Sequence, residues 1–221
     1  MIITRSPLRI SFAGGGTDIP ELYLNYGPGV VVSAAIDRHV YVTLNEKFDG
    51  RVSGRYSMHE NVEKVSDLRH SLIREALLLY GIEKGVEIVI ASEVPARGSG
   101  LGASSSMLTA LCLALEVHCA KYDFKSILDN EVRKTIAETA AAVEIGRCDS
   151  PIGKQDHYAS VFGGLNRFEF KRDGSVDVEA FLSEGFIREI ESQSMLFYLN
   201  MEHEYRDQHL ISWILQDQLA A

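Results

Sequence analysis

VPARGSGLGASSSM, residues 94–107, places three glycines and four serines between the strand-like GVEIVIASE and the apolar run MLTALCLALEV. Glycine loses more conformational freedom on folding than any other residue, so this crowding at the mouth of a helix predicts backbone that approaches a ligand closely. Glycines let successive N–H groups converge, and the free N–H groups and dipole of the next helix point the same way. Ser104, Ser105 and Ser106 could cap that helix, bind phosphate oxygens or hold Mg2+. Capping needs one serine and not three beside three glycines, which favours an anion site.

Two familiar templates fail here. Gly98 to Ala103 satisfies G-x-G-x-x-G/A, but Pro95 and Arg97 separate the strand from the glycines, and the helix is followed by another helix. A dinucleotide site needs a strand on both sides of that helix. The P-loop pattern GxxxxGK[ST] needs a lysine that is absent.

Outward from the cluster, IITRSPLRISFA reads as a strand broken near Pro7, and GGGTDIPELYLNYGPG as a loop, a short helix and a turn. VVVSAAIDRHVYVTLNEKFDGRVSGRYS reads as strands with Asp49-Gly50 turning a hairpin. SDLRHSLIREALLLYG has helical spacing with a stop at Gly81. Helices are expected over about 104–121 and 125–147. KQDHYASVF gives another short helix, and GGLNRFEFKRDGSVDVEAF a hairpin turned at Asp173-Gly174. A helix, a strand around MLFYL and a last helix complete the chain. Strands come early and helices late, which predicts an α+β layer fold.

The chain has 221 residues, 46% hydrophobic and 24% charged, enough for one large or two small cores. A net charge of −9 without a basic block argues against nucleic acid as a partner. Cys112, Cys119 and Cys148 show neither a disulfide framework nor CxxC spacing, and no apolar run approaches the roughly 18 residues of a membrane span. The expectation is a cytoplasmic protein with no membrane partner. The seven histidines show no metal-ligand spacing and are assigned no site.

PARGSGLGASSSM resembles the ATP-binding motif P-x-x-x-G-L-G-S-S-A-A of the GHMP kinases, and SPLRISFAGGGTD resembles their first motif. With PIGKQDHYASVFGG, the pattern is similar to the sugar-kinase branch that includes the bacterial heptose 7-phosphate kinases. The resemblance covers about residues 3–198 and rests on three motifs in order. It implies a domain over 1–180 like the second domain of ribosomal protein S5, then a ferredoxin-like domain. It also implies transfer of the ATP γ-phosphate to the anomeric hydroxyl of a sugar phosphate, with Mg2+, for GDP-heptose synthesis.

The resemblance assigns Arg97, Gly98, Ser99, Gly100, Leu101, Gly102, Ala103, Ser104, Ser105 and Ser106 to ATP. Gly14, Gly15, Gly16, Thr17 and Asp18 go to the sugar, Ser104 and Glu144 to Mg2+, and Arg9, Lys154 and Asp156 to catalysis. Phosphoryl transfer depends on positioning and charge neutralisation, which suits these residue types. Plainer readings stand beside them. Glu144 also reads as a solvated helix carboxylate, Arg9 as a surface ion-pair partner, and Lys154 as a solvent-facing lysine. Asp156 suits the first turn of a helix, and Asp18-Ile19-Pro20-Glu21 reads equally as an N-cap with a capping-box glutamate.

Two departures from the family pattern appear. Ala103 replaces a serine, and after MLFYL the sequence NMEHEYRDQHLISWILQDQLAA lacks the Thr-Gly turn and the third glycine-rich motif. Residues 181–221 are therefore expected to form a partial or altered second domain, with impaired turnover and some tendency to self-associate. A non-catalytic sugar- or nucleotide-binding protein derived from a kinase is the alternative, and a dehydrogenase a more distant one.

Overall fold

The computed structural model describes residues 1–95, 99–120, 125–181 and 183–197. Its strands are β1 (Ile2–Ala13), β2 (Gly29–Glu46), β3 (Val52–Arg55), β4 (His59–Val62), β5 (Val86–Ser92), β6 (Leu165–Phe170) and β7 (Val176–Ala180). Its helices are α1 (Pro20–Asn25), α2 (Ser71–Leu79), α3 (Ala103–His118), α4 (Asn130–Ala141), α5 (Gln155–Phe162) and α6 (Glu184–Gln193). The α+β expectation holds.

The long strand β2 organises the sheet. Along one edge it pairs antiparallel with β1, from Ile2 opposite Leu44 to Ala13 opposite Val32. On the other edge its first part, Gly29 to Ala34, pairs with β6, and its last part, Val40 to Glu46, pairs with β5. Alternate residues Val40, Val42 and Leu44 are buried, as expected of a strand with one face on a core.

Two sequence expectations need correction. The strand through Pro7 is not broken; it continues with a register shift between Pro7 and Arg9, because a residue without an N–H is tolerated where the ladder bulges. Asp49-Gly50 does not join a hairpin. Gly50 turns the chain with φ +72°, but β5 lies between β2 and β3 and pairs parallel with β3. Turn chemistry reports a reversal, and only the sheet decides which strand fills the gap.

Helix α3 is apolar almost all round, with Leu108, Ala110, Leu111, Cys112 and Leu115 fully buried. Such a helix belongs inside a protein, and it packs with Leu8, Val40, Val42, Leu44, Ile73, Leu77 and Ile88. The Thr4 hydroxyl donates to the Ala110 carbonyl at 2.7 Å, pinning β1 across it. A second cluster joins Tyr23, Val31, Ala137, Tyr158, Phe168 and Phe170, and seats α5. Gly81 ends α2 as predicted, with φ +72° and bonds from Gly81 N to Leu78 O and from Ile82 N to Leu77 O.

The helix expected over 125–147 comprises α4 and a π-helical turn, Ala142–Arg147. The Asp173-Gly174 hairpin forms between β6 and β7. Of the strand expected at MLFYL, Met195 to Phe197 have no regular structure and the remainder lies outside the described residues, as does most of the expected second domain.

Candidate functional site

The glycine loop delivers α3 with its first turn open. Gly102 occupies the N-cap at φ +74°, and no side chain among the described residues caps the helix. The serine-cap reading is thereby corrected: Ser104, Ser105 and Ser106 lie inside the helix, past the capping position. The first N–H to find a helical carbonyl is that of Ser106, on Gly102 O at 2.9 Å. Gly100 also adopts a positive φ, +66°, which any side chain would strain. Gly102 faces a further limit, since a Cβ there would sit 3.0 Å from Asp156 Oδ2 and 3.4 Å from Arg9 Cγ.

Those two neighbours form the centre of the site. Arg9 Nε and Nη2 donate to Asp156 Oδ1 and Oδ2 at 2.6 and 2.8 Å, a bidentate pair. Its Nη1 donates to Gly100 O at 2.6 Å, and its backbone N–H to Leu101 O at 3.1 Å. Arg9 comes from the bulged strand β1 and Asp156 from the first turn of α5. Both side chains are partly buried, with 12% and 17% exposure. The surface ion-pair reading of Arg9 is thus corrected: it pairs with the expected catalytic aspartate at the glycine loop.

Glu144 lies in the π-helical turn, where the wider i→i+5 geometry is visible in the bond from Cys148 N to Val143 O. It is only 3% exposed, so the solvated-carboxylate reading fails. Its Oε2 accepts from Ser105 Oγ at 2.8 Å and from His157 Nε2 at 2.9 Å, and Ser104 is near the carboxylate. Burial would push this carboxyl up, but its interactions with His157, Ser105 and Ser104 outweigh it and hold the group below the ordinary glutamate value.

Two expected phosphate hydroxyls are used internally. Ser105 is fully buried on Glu144, and Ser106 is fully buried with its hydroxyl on Pro7 O at 2.9 Å and against Ser160 Oγ at 2.8 Å. Ser104 alone of the three remains partly exposed. The Ser99 hydroxyl accepts from Leu101 N at 3.4 Å, Leu101 is partly buried, and Ala103 opens the helix. Arg97 and Gly98 lie outside the described residues.

The sugar-side loop packs against α5. Asp18 does not cap α1, whose N-cap is Ile19 without a side-chain bond. Instead Asp18 is 1% exposed and accepts from Gln155 N at 2.9 Å and Gly16 N at 3.1 Å. Burial raises its pKa, only partly offset by the Gln155 N–H, and the nearby Asp156 raises it further. Gly153 makes room for it, since a Cβ there would fall 1.9 Å from Asp18 Oδ2. Gly14 has φ +80° and lies against Val30 O; Gly16 has φ +90° with open space around it. Gly15 lies near Gln155. The Thr17 hydroxyl donates to Gly14 O at 2.7 Å and accepts from Val30 N at 3.1 Å, so it braces the loop. Lys154 is neither solvent-facing nor on Asp156; its ammonium pairs with Glu138 at 2.7 Å.

The structure therefore brings together Arg9, Asp156, Gly100, Gly102, Ser104 and Glu144 around the open turn of α3, with Asp18 beside Gln155. Sequence reasoning missed His157, Gln155 and Gly153. Their signal was proximity to Asp156, but facing directions on a helix are decided by packing. An open cavity of about 500 Å3, lined by residues including Lys47, Lys84 and His118, lies at the opposite end of α3 and shares no residue with this site.

Residues 67–164 match the family described as GHMP kinases N terminal domain. The chain is 30% identical to the D-glycero-alpha-D-manno-heptose 7-phosphate kinase of Campylobacter jejuni subsp. jejuni, over 93% of this chain and 62% of that protein. Among solved structures, a D-glycero-D-manno-heptose 1-phosphate kinase from Bacteriodes thetaiotaomicron superposes with a TM-score of 0.72 and 27% identity, covering 85% of this chain and 62% of the other. Streptococcus pneumoniae phosphomevalonate kinase, in complex with phosphomevalonate and AMPPNP, shares the fold with a TM-score of 0.64, over 81% of this chain and 59% of that one, at 15% identity. The chain thus spans about three fifths of the length of the sugar kinases it matches. Residues 67–164, which carry the open turn of α3, Glu144 and Asp156, are thus similar to the N-terminal domain of the GHMP kinases, and Arg9 and Asp18 precede the matched segment.

Proposed function

We propose that the chain provides the nucleotide- and sugar-binding part of an ATP-dependent kinase acting on a heptose 7-phosphate. In this reading the anomeric hydroxyl oxygen forms a bond to the γ-phosphorus, the bond from that phosphorus to the β-phosphate oxygen breaks, and ADP leaves. The product would serve GDP-heptose synthesis, in a cytoplasmic setting that accords with three free cysteines. Residues 1–180 are read as the S5 domain 2-like unit and residues from 181 as the start of a ferredoxin-like one.

The observation that carries the reading is the bidentate Arg9–Asp156 pair lying against an uncapped helix N-terminus. The open N–H groups and the dipole of α3 suit a triphosphate. Asp156 would orient the sugar hydroxyl and take its proton as the new bond forms. Arg9, already anchored on Gly100 and Asp156, would neutralise charge on the transferring group. Asp18 would accept hydrogen bonds from the sugar's hydroxyls, although much of its capacity is used by Gln155 and Gly16.

A divalent cation fits Ser104 and Glu144. No group of three or more His, Cys, Asp or Glu that could hold a metal occurs among the described residues, and Mg2+ held mainly by substrate phosphates needs only one or two protein oxygens. Glu144 supplies a carboxylate held below its ordinary pKa, with Ser104 nearby in the first turn of α3. When bound, the cation would supply positive charge to the phosphate oxygens.

The test is sugar-dependent ADP release from Mg-ATP, with heptose 7-phosphate and heptose 1-phosphate compared as acceptors. Release with the 7-phosphate that vanishes in Asp156→Asn is expected. Nucleotide-induced thermal stabilisation without ADP release from either sugar would overturn catalysis in favour of a binding protein.

A further inference from the structure

His157 is fully buried and stands outside the roles described so far. Its ring comes from the same turn of α5 as Asp156 but points into the packing between α5 and the π-helical turn, where Nε2 lies 2.9 Å from Glu144 Oε2. Nδ1 is buried and has no hydrogen-bond partner among the described residues. An ionised carboxylate only accepts, so the contact requires a proton on Nε2.

The arrangement at Glu144 is one-sided. His157 Nε2 and Ser105 Oγ both meet Oε2, and neither engages Oε1. Two donors on one oxygen fix the plane of a carboxylate and leave its other oxygen to a different ligand. Ser105 stands in the first turn of α3 next to Ser104, so the fixed carboxylate is held at the helix start. We propose that His157 is a positioning residue, whose Nε2–H holds Glu144 in the orientation that binds a divalent cation together with Ser104. The inference rests on the cation reading given above and adds to it a residue that touches neither nucleotide nor sugar.

An outer hydrogen bond of this kind typically changes metal affinity by about 10- to 100-fold. The probe is Mn2+ titrated in the presence of a non-hydrolysable ATP analogue and followed by electron paramagnetic resonance, which needs no turnover. His157→Leu removes the donor and should weaken Mn2+ binding by about that factor, with metal-free binding of the analogue unchanged. His157→Gln, whose amide N–H can reach toward the same oxygen, should recover most of the affinity. Glu144→Gln tests the underlying site. Unchanged Mn2+ affinity in Glu144→Gln would overturn both the cation reading and this inference. Weakened binding in Glu144→Gln with unchanged binding in His157→Leu, or equal losses in His157→Leu and His157→Gln, would overturn the role of His157 alone. Should His157→Leu fail to fold, nitrogen chemical shifts of the imidazole in the unmodified protein decide the matter. A proton on Nε2 is expected, and a bare Nε2 would overturn the proposal.

Discussion

Glu60 and Glu144 are both buried, with 8% and 3% exposure, and both carboxyls sit below the ordinary glutamate value, yet their oxygens are used differently. Glu60 spends both oxygens. Oε1 accepts from the Tyr56 hydroxyl at 2.8 Å and His70 N at 3.2 Å, and Oε2 from Arg69 N at 2.7 Å. It thereby fastens the start of α2 to β4. Glu144 is held by two side chains on a single oxygen, beside the open turn of α3. Burial and a perturbed pKa alone do not separate a structural staple from a functional group; what separates them is which lone pairs remain and what they face.

That contrast is sharpest where chemistry is lost without stability. Asp156→Asn should lower kcat by about 10²- to 10⁴-fold, the usual contribution of a positioned base, with a modest change in melting temperature. Steady-state ADP release checks it, and retention of kcat within a factor of two would remove Asp156 from the chemistry. Gly153→Ala comes next. Its Cβ would fall on the Asp18 carboxylate, and relief by overpacking typically costs about 1–3 kcal/mol. Raised sugar KM and lower urea resistance are both expected; a crystal structure with Asp18 unmoved would contradict the account.

Glu60→Gln should do the reverse of Asp156→Asn. Turning an N–H donor toward the backbone donors of Arg69 or His70 costs roughly 1–3 kcal/mol, seen in urea unfolding, while kcat per folded molecule stays constant. A fall in kcat would bring Glu60 into the site and break the comparison.

Acid unfolding refines the same point. Burial pushes Glu60 up, but the Arg69 N–H, the Tyr56 hydroxyl and the His70 N–H carry it below the ordinary 4.5. A carboxyl with a depressed folded pKa stabilises the fold above its unfolded value, and that stability is lost as pH falls through the lower folded value. Asp18 has the opposite sign. Burial raises it above 3.8, so ionising it costs stability as pH rises from there through the folded value. Stability of Glu60→Gln should therefore fall less steeply than the parent as pH drops below about 5, measured by denaturant unfolding at stepped pH. The smallest effect belongs to Arg188→Ala. Its pair with Glu184 is mostly exposed, at 77% and 83%, and no change in melting temperature is expected.

Much of the site was legible because its parts are local. Glycines with positive φ, an open helix start and Asp156 in a first turn can each be read within a few residues. The strands of β1, β2, β5, β6 and β7 were legible from alternation. The neighbour of β3 was not, because a turn signal at Asp49-Gly50 says nothing about a strand inserted from residues 86–92. Nor were Ser105 and Ser106, alike in sequence with Ser104 but rotated by helical steps into the interior.

By itself the amino-acid sequence determined the elements of the α+β layer fold, the glycine-lined entry to α3 and the residue types proposed for phosphate chemistry. Those follow from backbone preferences and periodicity, which act over a turn or a strand. Only the tertiary structure decided that Arg9 reaches Asp156 across 147 positions of chain, that Asp18 binds Gln155 and leaves α1 uncapped, and that His157 holds Glu144. Long-range pairing of charged groups depends on which faces pack together and which water they exclude, and neither is written in local pattern.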